Sequence, residues 1–90
     1  RVLVDKATTS AIELNLLGLR VHEALPRLEA FLDQALLEQR SSVRIVHGMG
    51  TGALRRAVRD FLSGSRYCAS YNEASRAEGG GGVTIAELAV

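Results

Sequence analysis

The sequence predicts an α/β fold, more narrowly an α+β sandwich in the order β-α-β-α-β-β, with two helices packed on one face of a four-stranded mixed sheet. Three observations carry this. Two short runs, 12–16 and 43–47, have strand character and are separated by a stretch with apolar residues at three- and four-residue steps. A glycine-rich loop, Gly48-Met49-Gly50-Thr51-Gly52, leads directly into a second amphipathic stretch. Two further short runs, 67–72 and 83–88, follow, joined by a polar segment ending in four glycines.

Taken in order, residues 1–11 form a linker or N-terminal extension, and the domain proper covers 12–90. Ile12-Glu13-Leu14-Asn15-Leu16 alternates with period two, so Ile12, Leu14 and Leu16 face a core while Glu13 and Asn15 share the other face. Residues 21–39 form a helix with Val21, Leu25, Leu28, Leu32, Ala35 and Leu36 in one stripe. Pro26 is tolerable if that helix begins near His22 or Glu23, where N–H groups have no intrahelical partner. In strand 43–47, Val43, Ile45 and His47 share a face, with Arg44 and Val46 opposite. The β-α-β unit so formed implies parallel strands and a right-handed crossover.

Thr51 is the expected N-cap of the second helix. Leu54, Ala57, Val58, Phe61 and Leu62 lie on its inner side, Arg55, Arg56, Arg59, Asp60 and Ser63 on the outer side, and Gly64 ends it. In strand 67–72, Tyr67, Ala69 and Tyr71 alternate with Cys68, Ser70 and Asn72. Residues 73–82 are expected to be a mobile loop. Strand 83–88 is the hairpin partner of 67–72.

Ninety residues hold one domain and a modest core. No apolar run approaches the ~18 residues of a membrane span, and no secretory signal pattern is present, so no membrane partner and a cytoplasmic location are expected. The chain begins at Arg1, which suggests a piece of something longer. A single cysteine, Cys68, leaves no intrachain disulfide and no Cys-based zinc site; a small buried residue in a strand is its expected role.

The net charge of +1 conceals segregation. Residues 41–66 carry Arg44, Arg55, Arg56, Arg59 and Arg66 against only Asp60, whereas both flanking segments are net acidic. Local charge decides where a polyanion docks. The loop lacks the Gly-Lys-Ser/Thr ending of a Walker loop. Its glycines at 48, 50 and 52 do not match the dinucleotide fingerprint either. A nucleotide cofactor is therefore not expected. Glycines that permit close backbone approach, ahead of a helix N-terminus, suit a phosphate; a tight turn without a ligand is the alternative. His47 has two roles open to it. It could transfer a proton near a phosphodiester, or it could fill the strand end and bond a backbone carbonyl. Glu13 and Asn15 could meet His47 or a hydrated divalent ion at the end of the sheet, but they are a thin ligand set and a solvated face is the competing explanation. No metal cluster is visible in the sequence. Exposed aromatics are scarce, so nucleic-acid binding would rest on phosphate contacts.

His-Gly-Met-Gly-Thr-Gly-Ala-Leu-Arg, residues 47–55, with Gly-Val-Thr-Ile-Ala-Glu-Leu at 82–88, closely resembles the Smr (small MutS-related) domain. The likeness is greatest to the version at the C-terminus of the recombination-suppressing branch of bacterial MutS-family proteins, and it covers 12–88. It implies a βαβαββ fold and binding of DNA, including branched DNA. It also implies nicking endonuclease activity with little sequence preference, and a parent chain with ATPase and coiled-coil regions. Some relatives act on RNA or ribosomes. Carried onto this chain, it makes His47, Glu13 and Asn15 the catalytic candidates. Gly48, Gly50, Thr51, Gly52, Arg55, Arg56 and Arg59, with Arg20, become the phosphate-binding candidates. A divalent cation, Mg or Mn, is the only cofactor it suggests. The chain departs from the family in its first strand. The usual Leu-Asp-Leu-His/Arg-Gly here reads Leu14-Asn15-Leu16-Leu17-Gly18, with an amide in place of the acid and a leucine in place of the base.

Overall fold

A computed structural model describes residues 11–89. The elements are β1 (Ala11–Asn15), α1 (Val21–Leu37), β2 (Ser42–Val46), α2 (Ala53–Ser63), β3 (Cys68–Glu73) and β4 (Val83–Leu88). Two 3-10 turns, Arg76–Glu78 and Gly80–Gly82, precede β4. The sheet order is β1-β2-β4-β3, with β1 and β2 parallel and β4 antiparallel to both its neighbours. The expected linker at 1–11 lies outside the described residues except for Ala11, which opens β1.

The core forms where the inner face of the sheet meets the two helices. Leu16, Val43, Ile45, Ala86 and Leu88 from the sheet side pack with Ala24, Leu28, Leu32 and Ala35 of α1 and with Val58 and Leu62 of α2. Alternation in β2 is strict: Val43 and Ile45 are fully buried, and His47, just past the strand end, continues the buried set. Burying the apolar members of this cluster supplies the dominant favourable term in folding. Of the predicted α1 stripe, Leu25 and Leu36 are only partly buried, and Val21 is 37% exposed.

Several local expectations are corrected. α1 begins at Val21, so Pro26 is a sixth helical residue beyond the exempt first turn, and the His22 carbonyl lacks its i+4 N–H donor. α1 ends at Leu37, before Gln39, because Gln39 turns left-handed at φ 59°. Its N–H bonds the Leu36 carbonyl and that of Arg40 bonds the Ala35 carbonyl, each at 2.9 Å, which is a Schellman closure without glycine. The N-cap of α2 is Gly52, at φ 86°, in place of Thr51. The alternation expected in 67–72 is broken by a bulge between Cys68 and Ser70. The extra residue puts Cys68, opposite Leu88, on the same face as Tyr71, opposite Ala86. Cys68 is partly rather than fully buried. The glycine-rich segment expected to be a mobile loop is folded into the two 3-10 turns.

Candidate nucleic-acid interface

The carboxyl ends of parallel β1 and β2 each run into a helix N-terminus. Between the two turns lies a cleft of about 390 Å³, walled by Gly18, Leu19, Arg20 and Val21 on one side and by residues 47–55 on the other. Asn15 shapes the first turn: its Oδ1 accepts the Leu17 N–H at 2.9 Å. Glu23 closes the start of α1 by accepting the Arg20 N–H at 2.9 Å. A larger depression of about 560 Å³ is lined only by Glu38, Gln39, Arg40 and Ser41 and is the bare turn after α1.

The second turn is built on glycine because its backbone is left-handed. Gly48 stands at φ +77°, and a Cβ there would lie 2.7 Å from Leu17 Cδ2. Behind the loop, the Gly82 carbonyl accepts the N–H groups of His47 (3.1 Å) and Gly48 (2.9 Å). A Cβ on Gly81 would come within 3.1 Å of Met49 Sδ, so the glycine run before β4 lets the two loops pack together. Thr51 Oγ1 accepts the Ala53 N–H at 3.3 Å. The first intrahelical bond of α2 joins the Arg56 N–H to the Gly52 carbonyl at 2.9 Å. The N–H groups of Leu54 and Arg55, two residues of the cleft wall, precede it in the first turn and have no intrahelical partner.

His47 is 5% exposed. Its Nδ1 lies 3.0 Å from the Gly48 carbonyl and its Nε2 lies 2.7 Å from Thr84 Oγ1. A carbonyl only accepts, so Nδ1 carries the proton, and Nε2 of the neutral ring accepts the Thr84 hydroxyl. Burial pushes the imidazole below its ordinary value of 6.5; the Gly48 carbonyl opposes this, while Arg59 and Arg55 add to it. Both ring nitrogens are thus engaged within the protein. The geometry matches the second of the two roles open to this residue, a strand-end histidine bonding a backbone carbonyl.

The structure gathers Arg20, Gly48, Gly50, Thr51, Gly52 and Arg55 around one cleft with His47 at its floor. Arg56 and Arg59 line an adjoining groove of about 280 Å³ that shares Gly52 and Arg55 with it. Glu13 and Asn15 are not brought to His47. Glu13 pairs in register with Arg44 and Asn15 with Val46, on the face opposite Val43 and Ile45, so the sheet stands between them and the imidazole. Glu13 instead meets Arg44 Nη1 at 2.9 Å, and Arg44 Nη2 donates to the Glu78 carbonyl at 2.6 Å. With the Glu13 carboxylate on a guanidinium and the Asn15 oxygen on a backbone N–H, the pair does not fit a divalent cation. No cluster of three or more potential His, Cys, Asp or Glu ligands occurs among the described residues.

Three contributors escaped the sequence reading: Thr84, the Gly82 carbonyl and Glu73, whose Oε1 stands 3.8 Å from Arg59 Nη2. The first two lie in the Gly-Val-Thr element at the start of β4. Their signal is topological, because β4 inserts beside β2 and sets Thr84 opposite Ile45, two residues before His47.

A parallel β-α-β unit opening on a glycine-rich loop and a basic helix defines a small α+β domain. A family model, the Smr domain, matches residues 14–89. This chain belongs to the Smr domain family. It is 44% identical over 85 residues to endonuclease MutS2 of Exiguobacterium sibiricum and 49% identical over 85 residues to that of Symbiobacterium thermophilum. Each match covers 94% of this chain and 11% of the relative, so the chain spans about a tenth of their length. The crystal structure of the Smr domain of Thermus thermophilus MutS2 superposes with a TM-score of 0.86 at 40% identity, covering 88% of this chain and 99% of that one. That of YdaL, a stand-alone small MutS-related protein from Escherichia coli, gives 0.80 at 29% identity, covering 84% and 63%. Among the described residues no helix is long and apolar enough to cross a membrane.

Proposed function

We propose that this domain grips the phosphate backbone of DNA with little sequence preference and serves a nicking endonuclease acting in DNA repair and suppression of homologous recombination. The observation that carries the reading is that one cleft is lined by Arg20, by the glycine loop and by the first turn of α2 with Arg55, a helix start whose first N–H groups have no intrahelical partner. The relatives it resembles are named as endonucleases, which supports the catalytic part. A longer parent chain would supply the ATPase and coiled-coil regions. In this reading Arg55, Arg56 and Arg59 follow the backbone, so binding weakens steeply with salt. His47 acts by holding the Gly48 carbonyl, and hence the loop, with its ring neutral.

A second reading is a module that holds branched DNA, or ribosomal RNA, without cutting it. It is favoured by the two hydrogen bonds that occupy His47 and by the amide at Asn15, which is committed to its own turn. Supercoiled plasmid incubated with and without Mg or Mn separates the two. The first reading expects relaxed circles from the wild type and loss of both nicking and binding in Arg55→Ala. Salt-sensitive binding with no nicking, unchanged in Asn15→Asp, selects the second. An absence of nucleic-acid affinity at low salt contradicts both.

A further inference from the structure

We propose that Arg59 is a second phosphate subsite beside the glycine-loop cleft, attended by Glu73 in the free domain and taken over by a backbone phosphate on binding. The inference rests on the phosphate-gripping reading above and adds to it a residue, Glu73, that competes with the ligand.

Arg59 lies one helical turn beyond Arg55, so the two residues leave the helix about 6 Å apart along the axis of α2 and both line the same groove. That step is comparable to the separation of neighbouring phosphates on one strand. The side chain is 30% exposed, yet its Nε and Nη2 are shut off from solvent and have no hydrogen-bond partner in the protein. Glu73 is the acid nearest to it: Oε1 stands 3.8 Å from Nη2, an ion pair too long for a hydrogen bond. Glu73 itself is 56% exposed and free to swing away. Its place is set by the sheet, since Glu73 pairs with Thr84, the residue that holds His47. The acid therefore projects from the end of β3 on the helix side, at the edge of the same site. Asp60, the neighbouring acid on α2, is exposed and lines the groove as well.

Once the partly exposed side chain turns its unfilled, inward Nε and Nη2 towards the groove, the planar guanidinium calls for an acceptor with several oxygens in fork geometry, and a phosphodiester supplies one. The groove that holds Arg59 is continuous with the cleft through Gly52 and Arg55. A strand whose phosphate sits in the cleft has its next phosphate beside Arg59. To accept it, Arg59 releases Glu73.

The test uses fluorescence anisotropy of the 90-residue chain with a labelled single-stranded 20-mer and its duplex over a range of salt. Arg59→Gln is expected to weaken binding and to flatten the log–log salt slope by about 0.9 on duplex and about 0.7 on single strands, one counterion's worth. Glu73→Gln is expected to tighten binding roughly two- to fivefold, the scale of an exposed ion pair released from competition. In the Arg59→Gln background Glu73→Gln is expected to change nothing further. Arg59→Lys, which keeps the charge and loses the fork, should fall between wild type and Arg59→Gln. Thermal melts of each variant confirm that it is folded. If Glu73→Gln tightens binding equally in both backgrounds, or Arg59→Gln leaves affinity and slope unchanged while Arg55→Gln weakens them, the subsite is overturned and the phosphate-gripping reading stands. If neither wild type nor any variant binds, both fall.

Discussion

His47 illustrates how surroundings decide what a residue can do. Its place at a strand end before glycines is the feature that invites a catalytic reading. Burial, the Gly48 carbonyl and the Thr84 hydroxyl engage both of its ring nitrogens, so the ring also pins the loop. This has a pH consequence. The folded imidazole titrates below 6.5, so as pH falls through that value the unfolded chain takes up a proton before the folded one does. Stability contributed by the neutral ring is complete above the unfolded value and is lost as pH drops towards the folded one. The melting temperature is therefore expected to decline between about pH 7.5 and pH 5.5, and the decline to be smaller in His47→Gln. An identical decline in both proteins would remove His47 as its source. Much of this site was legible in the sequence: His47 on the buried face of β2, the glycines and Arg55 on the cleft. The partner Thr84 was not, because it is distant in sequence and its approach depends on strand order. Glu13 and Asn15 were misplaced relative to His47. Period-two alternation already put them on the polar face and His47 on the apolar one, and the register with Arg44 and Val46 keeps the sheet between them, so they do not meet round its end.

At the scale of the element, the sequence shows existence and type better than ends. Apolar spacing locates α1 and α2, yet each is bounded by a feature without a standard signal. α1 stops through left-handed Gln39, where a glycine would ordinarily stand, and α2 starts from left-handed Gly52 with Thr51 bonding one residue further in. Gln39 is exposed and bears the left-handed backbone at a cost. Gln39→Gly is accordingly expected to raise unfolding free energy by about 1 kcal/mol, read as a higher urea midpoint with an unchanged slope. No gain would mean that the Schellman turn is not strained. The bulge in β3 is another feature hidden from pattern reading: one inserted residue moves Cys68 to the helix side, and nothing in Tyr67-Cys68-Ala69-Ser70 announces it.

At the scale of the whole molecule, the sheet divides two chemistries. The helix side carries the core and, at the carboxyl ends of β1 and β2, the cleft with its arginines. The other side carries Glu13 and Arg44 as a cross-strand pair, which anchors the turn at Glu78 through its carbonyl. Topology explains why the glycine run before β4 belongs to the site despite its distance in sequence. β4 lies beside β2, so the residue entering it, Gly82, backs the loop leaving β2. The central claim is that a backbone phosphate sits in the cleft between the two helix N-termini. Amide-resolved NMR titration of the 90-residue chain with a short oligothymidylate tests it directly. Shifts are expected at the amides of residues 49–55 and at the Arg20 and Arg55 side chains, diminishing as salt is added. Shifts confined to Glu13, Asn15 and Arg44 on the far face, with the cleft amides unmoved, would contradict it.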